Sequence, residues 1–144
     1  MGANLGDAVA TVRRAMDAIG QLSQTQLTRR SSLYRTAPLD AVGPDYINAV
    51  VEISTALSAP VLLQQLQQLE LDAGRERPYR NAPRTLDLDL LLYGDAQMQS
   101  PALTIPHPRM AGRAFVLMPL AEIAPQRVSD AQLRRVSRQA VVRL

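Results

Sequence analysis

The chain has 144 residues, 47% of them hydrophobic and 20% charged, with a net charge of +3 and no cysteine. That length fits one compact domain with its own core, so residues 1–144 are read as a single domain. Without cysteine there is no disulfide framework and no thiolate metal site. With one histidine, His107, there is no histidine cage either. Any metal must then be held mainly by carboxylates, which points to a hard cation such as magnesium. No run of about 18 apolar residues marks a membrane span, and the N-terminus lacks the layout of a secretory signal. The expected location is the cytoplasm, with no membrane partner. All 16 basic side chains are arginine, so a P-loop lysine is excluded and every cation is a planar fork suited to bidentate phosphate contact. The positive balance would suit nucleic acid, but aromatics are 3% of the chain, with one Phe and no Trp. That leaves almost no stacking platforms, and no nucleic-acid partner is expected.

In chain order, residues 1–7 read as a glycine turn. Asp7 then caps a helix whose apolar residues Val9, Val12, Met16 and Ile19 recur at helical spacing, with Gly20 as its stop. Residues 26–36 predict a strand, 37–45 a loop with Pro38, Gly43 and Pro44, and 46–55 a second strand rich in β-branched residues. Ser58 and Pro60 open a second helix with Leu62, Leu63, Leu66 and Leu69 on its apolar face and Gly74 as its stop. An arginine-rich loop, 75–84, leads into a strand over 85–93. Residues 101–109 form a Pro-broken loop and 110–123 a partial helix in which Pro119 breaks the pattern. A short helix is expected from Ser129. The order helix, strand, strand, helix, strand argues for an α+β sandwich, a sheet covered by helices.

The chemistry concentrates in Pro83-Arg84-Thr85-Leu86-Asp87-Leu88-Asp89-Leu90-Leu91-Leu92-Tyr93. On a strand, Leu86, Leu88 and Leu90 share one face, and Asp87 and Asp89 share the other, about 7 Å apart. Two carboxylates at that spacing can hold or bridge one or two magnesium ions that also bind substrate phosphates. A bare Asp-x-Asp is usually two surface acids. Here, however, Arg75, Arg77, Arg80 and Arg84 precede it, and carboxylates beside guanidinium forks describe a polyphosphate site. Glu70 and Gln67 share a helix face just upstream. His107, flanked by Pro106 and Pro108 with Arg109 and Arg113 close by, can donate to a phosphate oxygen. Asn48, between Ile47 and Ala49, can read the amide-like edge of a heterocycle.

These residues and others resemble the 6-hydroxymethyl-7,8-dihydropterin pyrophosphokinase family. The matching blocks are Gly2-Ala3-Asn4-Leu5-Gly6-Asp7, Ser32-Leu33-Tyr34-Arg35-Thr36, Asp45-Tyr46-Ile47-Asn48-Ala49, Leu69-Glu70 and Gly74-Arg75. To these are added the Pro83–Tyr93 run, Ile105-Pro106-His107-Pro108-Arg109 and Arg113-Ala114-Phe115-Val116-Leu117. The resemblance implies a ferredoxin-like α+β fold with an antiparallel sheet, and a monomeric enzyme. That enzyme would move pyrophosphate from MgATP to the pterin hydroxymethyl group and release AMP. It implies two Mg²⁺ ions on Asp87 and Asp89, with Arg75, Arg84 and Arg113 acting on the phosphates. Gln67, Glu70, Arg77, Leu88, Thr104 and His107 would complete the nucleotide site. The pterin would lie between Tyr46 and Phe115, bounded by Gly2 and Asn48 and by the backbone of Thr36, Ala37 and Leu39.

Three departures stand out. Asn81 replaces an aromatic often found before the Pro-Arg-Thr run, or Tyr79 takes over its role. Pro108 follows the histidine. The family's first strand precedes the Gly-Asn-Leu turn, where this chain has only Met1, and the expectation is a start annotated too late. The competing readings are a catalytically silent binding module, motivated by that missing strand, and a small RNA-binding domain, suggested by the charge.

Overall fold

The computed structural model describes residues 1–38, 43–74 and 85–144. Its elements run β1 (Gly2–Ala3), α1 (Ala8–Gly20), β2 (Thr25–Arg30), β3 (Tyr34–Thr36), β4 (Tyr46–Asn48), β5 (Val51–Thr55) and α2 (Ala59–Asp72). After these come β6 (Met98–Gln99), β7 (Thr104–Ile105), α3 (Ala114–Ile123), α4 (Asp130–Arg135) and β8 (Val142–Arg143). The fold is α+β with antiparallel pairing throughout, and its first half has the strand–helix–strand–strand–helix order of a ferredoxin-like sandwich.

Both long helices begin and end where the sequence places them. The Asp7 carboxylate accepts the Ala10 N–H at 3.1 Å, and the buried stripe Val12, Ala15, Met16 and Ile19 turns α1 onto the sheet. The Ser58 hydroxyl accepts the Val61 N–H at 3.4 Å, Pro60 occupies the first turn of α2, and Leu62 and Leu66 are buried. Gly74 follows with φ +89°, the left-handed conformation that stops a helix and favours glycine.

The two central strands each break once. The stretch predicted as 26–36 is β2 and β3, and 46–55 is β4 and β5. The breaks face each other. The β2–β5 register slips between Leu27 and Arg29. At Ser31 the N–H donates to the Val50 carbonyl at 2.9 Å, and the side-chain oxygen accepts the Val50 N–H at 2.9 Å. A side chain thus stands in for a ladder partner, and the paired strands bend together. The sheet order is β1-β4-β3-β8, with β2-β5 continuing the central pair.

Helices cover both faces. Ala3, Leu33, Ile47 and Ala49 pack with Val12 and Met16 of α1. Ala15 and Ile19 of α1, Leu62 and Leu66 of α2, and Leu86 and Leu88 form the adjoining cluster. Across the sheet, Val50 meets Ala114, Leu117, Leu120 and Ile123 of α3, together with Val128 and Val136 of the C-terminal tail. The helix of α3 runs through Pro119, where the sequence predicts a break. Pro119 is almost fully buried in this cluster, and its packing offsets the missing N–H. Three pairings escape the sequence. Residues 2–3, read as part of a turn, pair as β1 with β4. Residues 98–105 form the β6–β7 hairpin, and the tail continues past α4 to add β8 as an edge strand.

The segment 85–93 departs most from expectation. Among the described residues its only bridge is Gly2 with Asp87, joined by Gly2 N–H to Asp87 O at 2.9 Å and Asp87 N–H to Gly2 O at 2.8 Å. Beyond that bridge the segment diverges from β5. The gap is a slot of about 500 Å³, lined by Met1, Ile53, Leu88, Leu90, Leu120 and Ile123 among others. Among the described residues, β5 pairs only with β2. Among the described residues no strand pairs with 88–93, whose Leu91 carbonyl instead accepts the His107 N–H at 2.9 Å. The Met1 ammonium lies at the slot and donates to the Ala49 carbonyl at 2.9 Å. Burial pulls its pKa down, and the nearby charges of Asp89 and Asp87 oppose that shift.

Glu122 ties α3 to β3. Its carboxylate accepts from the Tyr34 hydroxyl at 2.7 Å, the Ser32 N–H at 3.0 Å and the Ser32 hydroxyl at 3.1 Å. Arg143 of β8 approaches it at 3.6 Å. Burial first, then the bond to Glu122, pushes the Tyr34 phenol up to about 12. For Glu122, burial disfavours the charge, but the bonds from Tyr34 and Ser32 and the Arg143 charge outweigh it and hold its pKa below the usual 4.5.

Two outcomes follow. Because Glu122 is more acidic folded than unfolded, its contribution is present above pH 4.5 and is lost as pH falls through its lower folded value. In denaturant titrations, Glu122→Gln should be less stable than the parent near neutrality, with the gap narrowing in acid; a gap independent of pH would contradict this linkage. Separately, joining an engineered strand of about five alternating apolar residues ahead of Met1 should fill the slot and raise stability by at least about 2 kcal/mol. A charged extension of the same length should not, and equal unfolding midpoints for the two would refute the slot's fit to a strand.

Candidate active site

One cross-strand row organises the site. Directly opposed residues on neighbouring antiparallel strands project to the same face. Asp87 opposes Gly2, Gly2 opposes Asn48, Asn48 opposes Tyr34, and Tyr34 opposes Arg143. Thr36 opposes Tyr46 one step along. All of these face the α3 side, as the Tyr34 bond to Glu122 shows. Gly2 supplies the floor between Asp87 and Asn48: a Cβ there would run into Asn48 Oδ1. A side chain at Gly2 would therefore displace the amide that borders this groove.

The alternation expected over the aspartates holds without a ladder. Leu86 and Leu88 are 2% and 7% exposed, whereas Asp87 is half-buried and Asp89 exposed. The helix layer enforces it, since both leucines pack on Ile19, Leu62 and Leu66. Glu70 adds a second constraint. It is only 4% exposed, and its carboxylate accepts the Leu88 N–H at 2.9 Å. A charge-assisted bond from a fixed helix thus holds the peptide between the two aspartates. The sequence places Glu70 in the nucleotide site, whereas this bond directs it at the backbone of the aspartate segment.

The donor set fits a hard cation. Asp87 and Asp89 offer carboxylate oxygens on one face, and no cluster of three His, Cys, Asp or Glu gathers among the described residues. A metal bound there would draw its remaining ligands from water and substrate oxygens, which suits magnesium.

Further candidate residues lie in the loop after β7 and at the start of α3. The Arg109 N–H donates to His107 Nδ1 at 3.2 Å, so a neutral ring carries its proton on Nε2 and can donate it to a ligand oxygen. Arg113, the residue before α3, holds its guanidinium 5.4 Å from the Phe115 ring centre, within cation–π range. Tyr46 is 42% exposed, and Phe115 is half-buried. Ala37 is exposed just past β3, and Thr104 is half-buried on β7. Gln67 borders a separate cavity of about 420 Å³ between α2 and the β6–β7 hairpin, with Leu63, Met98 and Leu103. The sequence does not single out Met98 or Leu103, because the hairpin that positions them leaves no periodic signal. Arg75, Arg77, Arg80, Arg84 and Leu39, with Tyr79 and Asn81, lie outside the described residues.

Comparison with known proteins identifies the family. The profile of the family described as 7,8-dihydro-6-hydroxymethylpterin-pyrophosphokinase matches residues 1–125. The chain is 49% identical over 125 residues to 2-amino-4-hydroxy-6-hydroxymethyldihydropteridine pyrophosphokinase of Haemophilus influenzae, covering 86% of this chain and 78% of the relative. It is 45% identical over 125 residues to the protein of that name from Synechocystis, covering 87% and 64%. The Bacillus subtilis protein of that name is 38% identical over 142 residues, covering 98% and 85%.

The tight approach at Gly2 gives a direct outcome. Gly2→Ala should cost about 1–3 kcal/mol in denaturant unfolding, since either the β1 backbone or Asn48 must move. In an Asn48→Ala background the clashing oxygen is gone, and the same substitution should cost clearly less. Equal costs in the two backgrounds would show that Asn48 is not the obstacle.

Proposed function

The chain belongs to the 7,8-dihydro-6-hydroxymethylpterin-pyrophosphokinase family, and on that premise we propose that Asp87 and Asp89 are the metal-holding pair of its active site. The enzyme transfers pyrophosphate from ATP to the hydroxymethyl group of 6-hydroxymethyl-7,8-dihydropterin in folate biosynthesis. The observation that carries the site assignment is the shared face of Asp87 and Asp89, with Asp87 in one row with Gly2 and Asn48.

In this reading the pterin lies over that row. Asn48 reads its polar edge, the backbone of Thr36, Ala37 and Leu39 continues the reading, and Tyr46 and Phe115 stack on its faces. The open floor at Gly2 admits the ring beside Asp87. Two magnesium ions on Asp87 and Asp89 would neutralise phosphate charge and draw the two substrates together. The pterin hydroxymethyl oxygen attacks the β-phosphorus in line. The bond from that phosphorus to the α-phosphate oxygen breaks, the hydroxyl proton is released, and AMP leaves. The protein's share is positioning and charge stabilisation.

Arg113 and His107 face the phosphates, and Arg75, Arg77 and Arg84 bring further guanidinium forks to the same charges. Gln67 and Thr104 belong to the nucleotide side, where the cavity beside Leu103 has room for a purine. Glu70 and Leu88 act there as a pair, the carboxylate fixing the Leu88 peptide and with it the spacing of the aspartates. Residues 1–144 form one pyrophosphokinase domain in this reading, acting as a monomer. In the same reading it works in the cytoplasm. No helix among the described residues is long and apolar enough to cross a membrane.

The test is AMP release from ATP, Mg²⁺ and the pterin alcohol. Asp89→Ala should lose at least about 10³-fold in rate, the scale of a single electrostatic contributor, while keeping a cooperative thermal melt. Parent-like turnover in that variant would remove Asp89 from the site. Tight binding of a MgATP analogue by the parent chain with no AMP formed would favour the silent binding module.

A further inference from the structure

We propose that Gln139, in the tail beyond the residues matched by the family profile, is a positioning residue that sets Arg113 and Phe115 in place. The proposal rests on the role given to those two residues above.

Arg113 is the N-cap residue of α3, yet no side chain in that turn caps the helix. Its carbonyl takes the Val116 and Leu117 N–H groups, which leaves the Ala114 N–H to find a partner elsewhere. Gln139 supplies it from 25 residues away: Oε1 accepts the Ala114 N–H at 2.9 Å. The other end of the same amide donates from Nε2 to the Gly112 carbonyl at 2.9 Å. The two bonds land on the peptide groups either side of Arg113. They hold its backbone extended, at φ −125° and ψ 111°, and with it the direction in which its side chain leaves toward the Phe115 ring.

A glutamine can do this only if its own backbone is fixed, and the tail is fixed at both ends. Val136 is 3% exposed in the cluster that contains Ala114 and Leu117, and the Gln139 N–H donates to its carbonyl at 3.0 Å. Three residues after Gln139, β8 pairs with β3, and the Leu144 N–H donates to the Leu33 carbonyl at 2.9 Å. The amide also fits better than any other side chain of its length, because the turn presents one donor and one acceptor. A carboxylate there would keep the bond to Ala114 but set an acceptor against the Gly112 carbonyl.

The experiment measures steady-state AMP formation in the parent, Gln139→Ala, Gln139→Glu, Arg113→Ala and the double variant Arg113→Ala/Gln139→Ala. Gln139→Ala should lower kcat/KM for MgATP by about 3- to 10-fold, the scale of losing one or two neutral hydrogen bonds. In the Arg113→Ala background the same change should cost less than about 2-fold, because the side chain it orients is gone. If Gln139→Ala does not melt cooperatively, Gln139→Glu, which retains the cap on Ala114, carries the same comparison. A purely structural glutamine would lower the melting temperature and leave kcat/KM per folded molecule unchanged. That result, or equal losses in the two Arg113 backgrounds, overturns the proposal. Absence of AMP from the parent itself would instead overturn the functional reading.

Discussion

Two hydrogen bonds between Gly2 and Asp87 hold the structure's chemistry together. Asp87 belongs to a segment with no other ladder contact among the described residues, and this reciprocal pair joins it to the sheet. Because Gly2 is paired on its far side with Asn48, the same bonds align a carboxylate, an open floor and an amide along one face. Bonds of this kind contribute about 1 kcal/mol each, whereas burying a leucine contributes about 1.5–3 kcal/mol. The register therefore comes from the bridge, and most of the holding energy comes from Leu86 and Leu88 against α1 and α2. Glu70 joins the two effects by binding the Leu88 peptide from the helix layer.

What the sequence revealed and what it hid divide along physical lines. The split of leucines and aspartates over 86–89 was legible, because alternation is a local property that any extended backbone expresses. The caps at Asp7 and Ser58 were legible for the same reason, each being a side chain acting within its own turn. The ladder expected over 85–93 was not realised, because pairing depends on a neighbouring strand. The burial of Glu70 was hidden as well, since a glutamate on an amphipathic helix reads as surface until its partner peptide is known. The β6–β7 hairpin and β8 are two-residue pairings, too short to leave a period. The site drawn from the family motifs has its described residues on one side of the sheet in the case of Gly2, Thr36, Tyr46, Asn48 and Asp87. Leu88 packs instead on the helix layer, Gln67 borders the cavity beside the β6–β7 hairpin, and Glu70 binds the Leu88 peptide.

The C-terminal tail links β3 to the start of α3. Its edge strand abuts β3, whose end leads into Thr36 and Ala37, and its glutamine grips the turn that launches α3. Glu122 reinforces the same junction from the helix, taking bonds from Ser32 and Tyr34 while facing Arg143. The turn that carries Arg113 and the strand that carries Thr36 are therefore tied together by the same tail and the same helix.

The Met1 ammonium at the mouth of the slot has a practical meaning in a chain without lysine. Residues 1–144 contain a single primary amine, and it is buried and engaged with the Ala49 carbonyl. Within residues 1–144 an amine-directed label meets no lysine side chain. Its uptake reports the separation of β1 from its neighbours, so one covalent readout follows the opening of the strand that carries Gly2 and, through it, the loosening of Asp87.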